Sequence, residues 1–434
     1  MIELIFIVLQ IIFITFLFIF SPYNSLINLN SIYKSIFEKI AINLIFSLNF
    51  LLLISCFNIS INLAFVFLCI LSLLSILTYL IKKNYSFNEK LPLTIFLIIV
   101  LIISINLFDK LYFGWDVKSF WYLKTVNFYS GFGVDSLKNT PVYDYPHLGV
   151  YIWSLFWKFP LNISEVYGRV FYVFIYMSSI FLFFQNLKID FIKKLIFITS
   201  LLLLNYEYEY FSGLQEILIF SFILMASKFC LDIFEEKKEL NQLKIIIILL
   251  AITNVVCWIK NEGLFLMLLM NGALFLTLKT TLKNKITLVT GSLIIILIRL
   301  FYLMQNDIGL ISYEVELSFL NNVNVPNLYN DFITVIFYIF VYLSQIPTYL
   351  ICLPLIVYLL FTNKSKNKVN KFLLIYGLFN LIFIILAFVF AMDYVEWQAK
   401  VGMKRVLFQT SGFYLLTIFL VFNKITNKKN DKRN

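Results

Sequence analysis

Residues 93–108 read LTIFLIIVLIISINLF, and after the four residues DKLY the chain continues at 113–129 as FGWDVKSFWYLKTVNFY. The first stretch carries no charge and reads as a membrane-spanning helix. The second places an Asp, two Lys, two Trp and several Tyr and Phe where the chain leaves the membrane. Which side it emerges on, and what the Asp does there, are the questions that organise the rest of the sequence.

Apolar runs of this kind recur along the whole chain. Hydrophobic residues make up 61% of the 434 and charged residues 14%, more apolar surface than a soluble domain of this length can bury. Thirteen runs read as spans: 2–20, 41–57, 62–81, 92–108, 166–186, 194–206, 216–233, 244–259, 264–279, 286–303, 343–361, 371–391 and 406–423. The expected fold is an all-α polytopic membrane protein with no soluble domain. The run 2–20 lacks a basic start and a small-residue cleavage site, so it reads as a span and not as a signal peptide. The five Cys fall inside apolar runs, as inert core thiols do. A single His excludes a multi-His metal site. No Gly-rich phosphate loop, repeat or low-complexity domain is visible.

Alternating the spans sorts the charges. One side collects Lys34, Lys39, Lys82, Lys83, Lys90, Lys188, Lys193, Lys194, Lys237, Lys238, the Lys-rich stretch 364–371 and the tail NKITNKKNDKRN. There Lys and Arg heavily outnumber acids; on the other side acids prevail. The basic side is cytoplasmic by the positive-inside rule, so 424–434 is a basic cytoplasmic tail and 109–165 is the first large outer loop. This scheme requires 148–158 and 332–342 to lie in the interface without crossing. The formal charge of +11 is thereby cytoplasmic anchoring near anionic lipid, and gives no argument for nucleic acid.

Within the outer loop, Phe120, Trp121, Leu123, Lys124 and Phe128 recur at helical spacing, which predicts a helix lying on the membrane surface. Lys118 and Lys124 would then face lipid phosphates. An aromatic belt accounts for most of the Trp and Tyr. Asp116, just past a span, reads by itself either as a solvated loop acid or as a general base at the mouth of a cavity between helices.

Two further stretches, YDYPHLGVYIWSLFWKF at 143–159 and KNEGLFLMLL at 260–269, favour the second reading. Together with GWD they resemble the GT-C superfamily of polytopic glycosyltransferases, which includes protein mannosyltransferases and bacterial aminoarabinose transferases. The resemblance implies Asp116 as the catalytic acid of the first outer loop. It implies Asp144 and His147 in the YDYPHL tract, with His147 where a second Pro often stands. SEVYGR at 164–169 supplies Arg169, YEYFSGLQEILIF at 208–220 supplies Glu216, WIKNEGL supplies Lys260 and Glu262, and GMKRVLFQTSGFYLL at 402–416 supplies Arg405. The resemblance covers 92–423 and leaves 1–91 as a three-span N-terminal extension. The chain departs from the family in having no Asp-Glu pair in the first loop and no late globular domain.

By this resemblance the chain takes a sugar from a polyprenyl-phosphate donor and gives it to a cell-envelope acceptor outside the inner (plasma) membrane. Inverting transfer needs one base on the acceptor hydroxyl, and the leaving phosphate needs cations near the membrane surface. Arg169, Lys260, Lys404 and Arg405 are the cationic candidates; snorkelling anchors are the plainer alternative for each. Glu262 is placed to orient Lys260. Glu207, Glu209 and Glu216 suit an acceptor or a hard divalent cation, although Glu207 and Glu209 read more simply as solvated acids. No cofactor is demanded. Two other classes stay open: an envelope polysaccharide polymerase or ligase, whose long outer loop falls late in the chain, and a lipid or sugar transporter, which carries ionisable residues within its spans.

Overall fold

The computed structural model describes residues 2–21, 23, 29, 32–33, 35–82, 89–109, 112–159, 164–185, 187, 189–306, 308, 325–362, 368–390 and 394–422. Lys34, Lys83, Lys188, the stretch 363–367 and the tail lie outside the described residues, as does most of the outer segment 304–331. The described chain is helical, without strands. Among the described residues, nine helices are long and apolar enough to cross a membrane, and a bent pair would make a tenth. The other four expected spans are also helices. Ile61–Lys82 extends into residues whose side chains are not described, while Phe191–Asn205, Asn261–Thr277 and Pro347–Thr362 have 15 to 17 residues. At 1.5 Å per residue these three fall short of a ~30 Å hydrocarbon core.

Both stretches expected in the interface depart from simple spans. Leu148–Lys158 forms an 11-residue helix, about half the length a crossing needs. Val325–Leu343 ends in a 97° bend before Pro347–Thr362.

The chain divides into two compact units. The first comprises Met1–Gln185, Glu207–Ser221 and Asn254–Lys260. It contains helices α1 (Ile2–Phe20), α2 (Ile36–Cys56), α3 (Ile61–Lys82), α4 (Lys90–Asp109), α5 (Tyr122–Tyr129), α6 (Leu148–Lys158) and α7 (Val166–Gln185). Residues 1–91 thus share one unit with the stretch 109–165. Ser35 caps α2 through a capping box with Glu38, satisfying amides the helix itself leaves open. α7 is enclosed almost throughout, which suits a sequence apolar on every side, with Arg169 its one charged residue. Phe18 and Phe96 pack against it, Phe18 on Phe171 and Phe96 on Phe174 and Phe181.

The second unit comprises Asn186–Tyr206, Phe222–Thr253 and Asn261–Asn434. Its helices are α8 (Phe191–Asn205), most of α9 (Glu216–Glu235), most of α10 (Glu239–Cys257), α11 (Asn261–Thr277), α12 (Leu282–Gln305), α13 (Val325–Leu343), α14 (Pro347–Thr362), α15 (Lys368–Phe390) and α16 (Val395–Tyr414). Polar side chains join these helices where lipid offers no hydrogen bonds. Asn271 donates to Thr253 and Ser292, 3.0 Å each, tying α11 to α10 and α12. Tyr349 donates to Leu407 O at 3.0 Å, tying α14 to α16.

Candidate active site

Beyond α4, residues 112–114 are irregular and the chain turns helical at Trp115. Five residues, Val117–Trp121, take a wider π-helical winding before α5 begins. This winding turns the helix so that Trp121, Lys124, Thr125 and Phe128 are buried. The expectation for Lys124 is therefore corrected. It does not face lipid phosphates: its Nζ donates to Val142 O at 2.6 Å and Tyr145 O at 3.1 Å. The reason is the tight turn that precedes α6, where Val142 adopts a positive φ of 51°. That turn leaves two carbonyls facing inward, and buried carbonyls need donors. Burial pulls the Lys124 amine down to about 7, with Asp144 acting in the opposite direction.

Asp144 and His147 are both buried. His147 shares a hydrogen bond with Ser55 at the end of α2, Nε2 to Oγ 2.9 Å, and its ring meets those of Phe128 and Trp258. The first amide of α6, Leu148 N, donates to Trp258 O at 2.9 Å. The YDYPHL and WIK stretches, over a hundred residues apart in sequence, therefore meet. Two residues beyond Trp258, Lys260 Nζ lies 3.1 Å from Glu216 Oε1, with both side chains buried. The carboxylate that fixes Lys260 in this unit is Glu216, a partner that neighbourhood in sequence did not suggest.

Trp153 of α6 is the hub. It is fully buried, with its ring centroid 6.0 Å from Phe113 and 6.1 Å from both Tyr122 and Tyr172. Its Nε1 donates to Glu165 O at 3.0 Å. Two glycines make room for it. A Cβ at Gly168 would overlap the Trp153 carbonyl, and one at Gly213 would overlap its ring and come 2.9 Å from Val117. Gly213 also has φ +113°, which only glycine adopts freely. Gln215 holds the same corner, donating to Gly213 O at 2.9 Å and Tyr172 Oη at 3.1 Å.

Arg169 is fully buried one turn into α7. Its Nε and one terminal nitrogen donate to Glu165, at 2.9 and 2.5 Å. Its guanidinium sits 5.0 Å from the Phe113 ring centroid, three residues before Asp116. The remaining terminal nitrogen, NH1, is buried and has no hydrogen-bond partner. Asp116 itself is half-buried. Beside it, the Tyr208 hydroxyl donates to Tyr112 O at 3.2 Å, and Gly114 approaches Glu209. Asp116, Asp144, His147, Arg169, Glu216 and Lys260 thus belong to one unit. Glu262, in the first turn of α11, and Arg405, half-buried in α16, belong to the other. There Arg299 of α12 donates to Asn261, one residue before Glu262.

Among the described residues, no three acidic, His or Cys side chains gather as metal ligands. Glu216 is committed to Lys260. Sequence reasoning missed Glu165, Trp153, Gln215 and Ser55. The i,i+4 spacing of Glu165 and Arg169 was a readable signal for the first; the others are joined by tertiary contact alone. The chain matches no protein-family model, no curated protein and no solved structure.

Proposed function

We propose that the chain is an integral membrane glycosyltransferase of GT-C type. It moves a sugar from a polyprenyl-phosphate donor to a cell-envelope acceptor on the extracytoplasmic side. The arrangement intended is the thirteen-span one, with a cytoplasmic C-terminus and the loop 109–165 outside. The observation that carries the reading is that Asp116 lies three residues beyond Phe113, the ring on which the buried Arg169 guanidinium packs. A half-buried carboxylate follows a span, and beneath the same loop a buried guanidinium keeps one nitrogen unused. Glycosyl transfer from a phosphate needs this pairing of functions. The acceptor O–H gives its proton to Asp116 as its oxygen bonds to the anomeric carbon. The bond from that carbon to the phosphate oxygen breaks, and the oxygen takes the electron pair. A guanidinium stabilises the leaving phosphate by charge-assisted hydrogen bonds. Lys260, Glu262 and Arg405 keep the substrate-binding roles the resemblance gives them, and Asp144 and His147 shape the loop from within.

The test is the transfer rate from a panel of polyprenyl-phosphate sugars, scored by release of free polyprenyl phosphate. Asp116→Asn keeps size and most hydrogen bonding, and should lower the rate about 10²–10⁴-fold. Asp109→Asn, at the exposed end of α4, is the control and should change it little. Equal rates for Asp116→Asn and the unaltered protein, at equal protein level and saturating donor, would refute the assignment.

A further inference from the structure

In the second unit, a turn at 236–238 joins α9 to α10, and residues 278–281 join α11 to α12. The two connections line an open, shallow cavity of about 570 Å³. Three of its lining residues are lysines, Lys237, Lys279 and Lys285, against one acid, Glu239. Among the described residues none of the three lysines makes an ion pair. The nearby Glu236 spends its carboxylate on the turn itself, accepting from the amides of Lys237 and Lys238 and from Asn241. The helices α10 and α12 begin here and α9 and α11 end here, so the helix ends offset one another and the positive charge of the site is that of the lysines.

The walls are fixed by side chains. Thr280 donates to Gln242 at 2.6 Å, Asn284 donates to Thr280 at 3.0 Å and to Glu239 O at 3.3 Å, and Gln242 donates to Glu236 O at 2.7 Å. Gln242 and Asn284 are buried. Beside this polar framework the first turns of the same helices present bare hydrocarbon: Leu240 is 67% exposed, Leu282 74% and Ile286 51%.

We propose that this cavity binds the phosphodiester headgroup of an anionic phospholipid, whose acyl chains lie along Leu240, Leu282 and Ile286. Cationic pockets between helices at the cytoplasmic boundary suit such headgroups. The Lys content of both connections puts them on that boundary by the positive-inside rule. The apolar flank selects a lipid over a soluble phosphate, which has no use for it. The inference rests on the chain spanning a membrane and is independent of glycosyl transfer, since it concerns the far ends of α10 and α11 from Cys257 and Asn261.

The experiment is native mass spectrometry of the full chain purified in a neutral detergent and titrated with palmitoyl-oleoyl phosphatidylglycerol or phosphatidylcholine. The unaltered protein should retain the first phosphatidylglycerol at least about 10-fold better, each lysine near an anionic headgroup contributing roughly a factor of five. Lys237→Gln/Lys279→Gln/Lys285→Gln should lose that preference. Lys238→Gln/Lys244→Gln/Lys283→Gln removes equal charge from the same two regions without touching the lining, and should keep it. Equal retention of the two lipids, or equal loss in both triple variants, overturns the site. Protection of Lys279 and Lys285 from acetylation by inorganic phosphate but not by phosphatidylglycerol overturns the lipid assignment. The protection assay uses unaltered protein, so it remains decisive if the first triple variant does not fold.

Discussion

Lys260 Nζ stands 3.1 Å from Glu216 Oε1, and the side chains are 11% and 1% exposed. Glu216 opens α9, Lys260 lies in the connection between α10 and α11, and the two are 44 positions apart. A buried pair of this kind costs most when halved, because the survivor keeps its charge without its partner. Glu216→Leu or Lys260→Met should therefore each lower stability by about 3–5 kcal/mol. Glu216→Leu/Lys260→Met together should cost clearly less than the sum. Thermal unfolding in detergent, arranged as a double-mutant cycle, measures this; strict additivity would show that the pair is not coupled.

Lys124 gives a pH dependence. Its amine is drawn down to about 7 by burial, against the opposing field of Asp144, whereas in the unfolded chain a lysine titrates near ~10.4. Between those values the unfolded chain binds a proton that the folded chain does not. Stability contributed by this group therefore rises with pH from about 7 to about 10 and is flat below 7, by a few kcal/mol in all. Lys124→Met should remove the rise. It should also cost about 1–3 kcal/mol through the two carbonyls it leaves unpaired. Unfolding curves at pH 6, 8 and 10 for the two proteins provide the comparison.

Gly213→Ala should destabilise by at least about 2 kcal/mol, since it adds backbone strain at φ +113° to overlap with Trp153. Gly272→Ala is the matched control. A Cβ there meets nothing within 4 Å inside α11, and the change should be neutral or stabilise by up to ~1 kcal/mol. Equal loss in both would remove Trp153 from its place as the hub of the loop.

The orientation predicted from charge makes Asn139 and Lys238 face opposite sides. In a background with the native cysteines replaced, Asn139→Cys should react with a membrane-impermeant maleimide on intact cells. Lys238→Cys should react only after permeabilisation. Reaction of both from outside would overturn the orientation.

Much of this protein is written in its hydropathy. Nine of the expected spans coincide with helices long enough to cross, because an apolar run in lipid has few alternatives to a helix. The expectation that 148–158 does not cross came from charge arithmetic alone, and the helix Leu148–Lys158 is indeed too short to cross. Lys124 was misread because a basic residue among aromatics at helical spacing looks the same whether it meets lipid phosphate or backbone carbonyls. The difference lies in a π-helical winding and a strained Val142, and neither has a sequence signature. Likewise GWD, YDYPHL and WIK are visible as separate stretches. That Trp258 O caps α6 and that Trp153 sits between two glycines depends on tertiary packing.

The first unit is threaded, with its last strip, Asn254–Lys260, separated from Gln185 by residues of the other unit. A ribosome must therefore have delivered some 260 residues before Lys260 can reach Glu216 or Trp258 can cap α6. Insertion of the later helices is thus a timing constraint on the candidate site, and a chain released early would carry Asp116 and Arg169 without the strip that secures the loop around them.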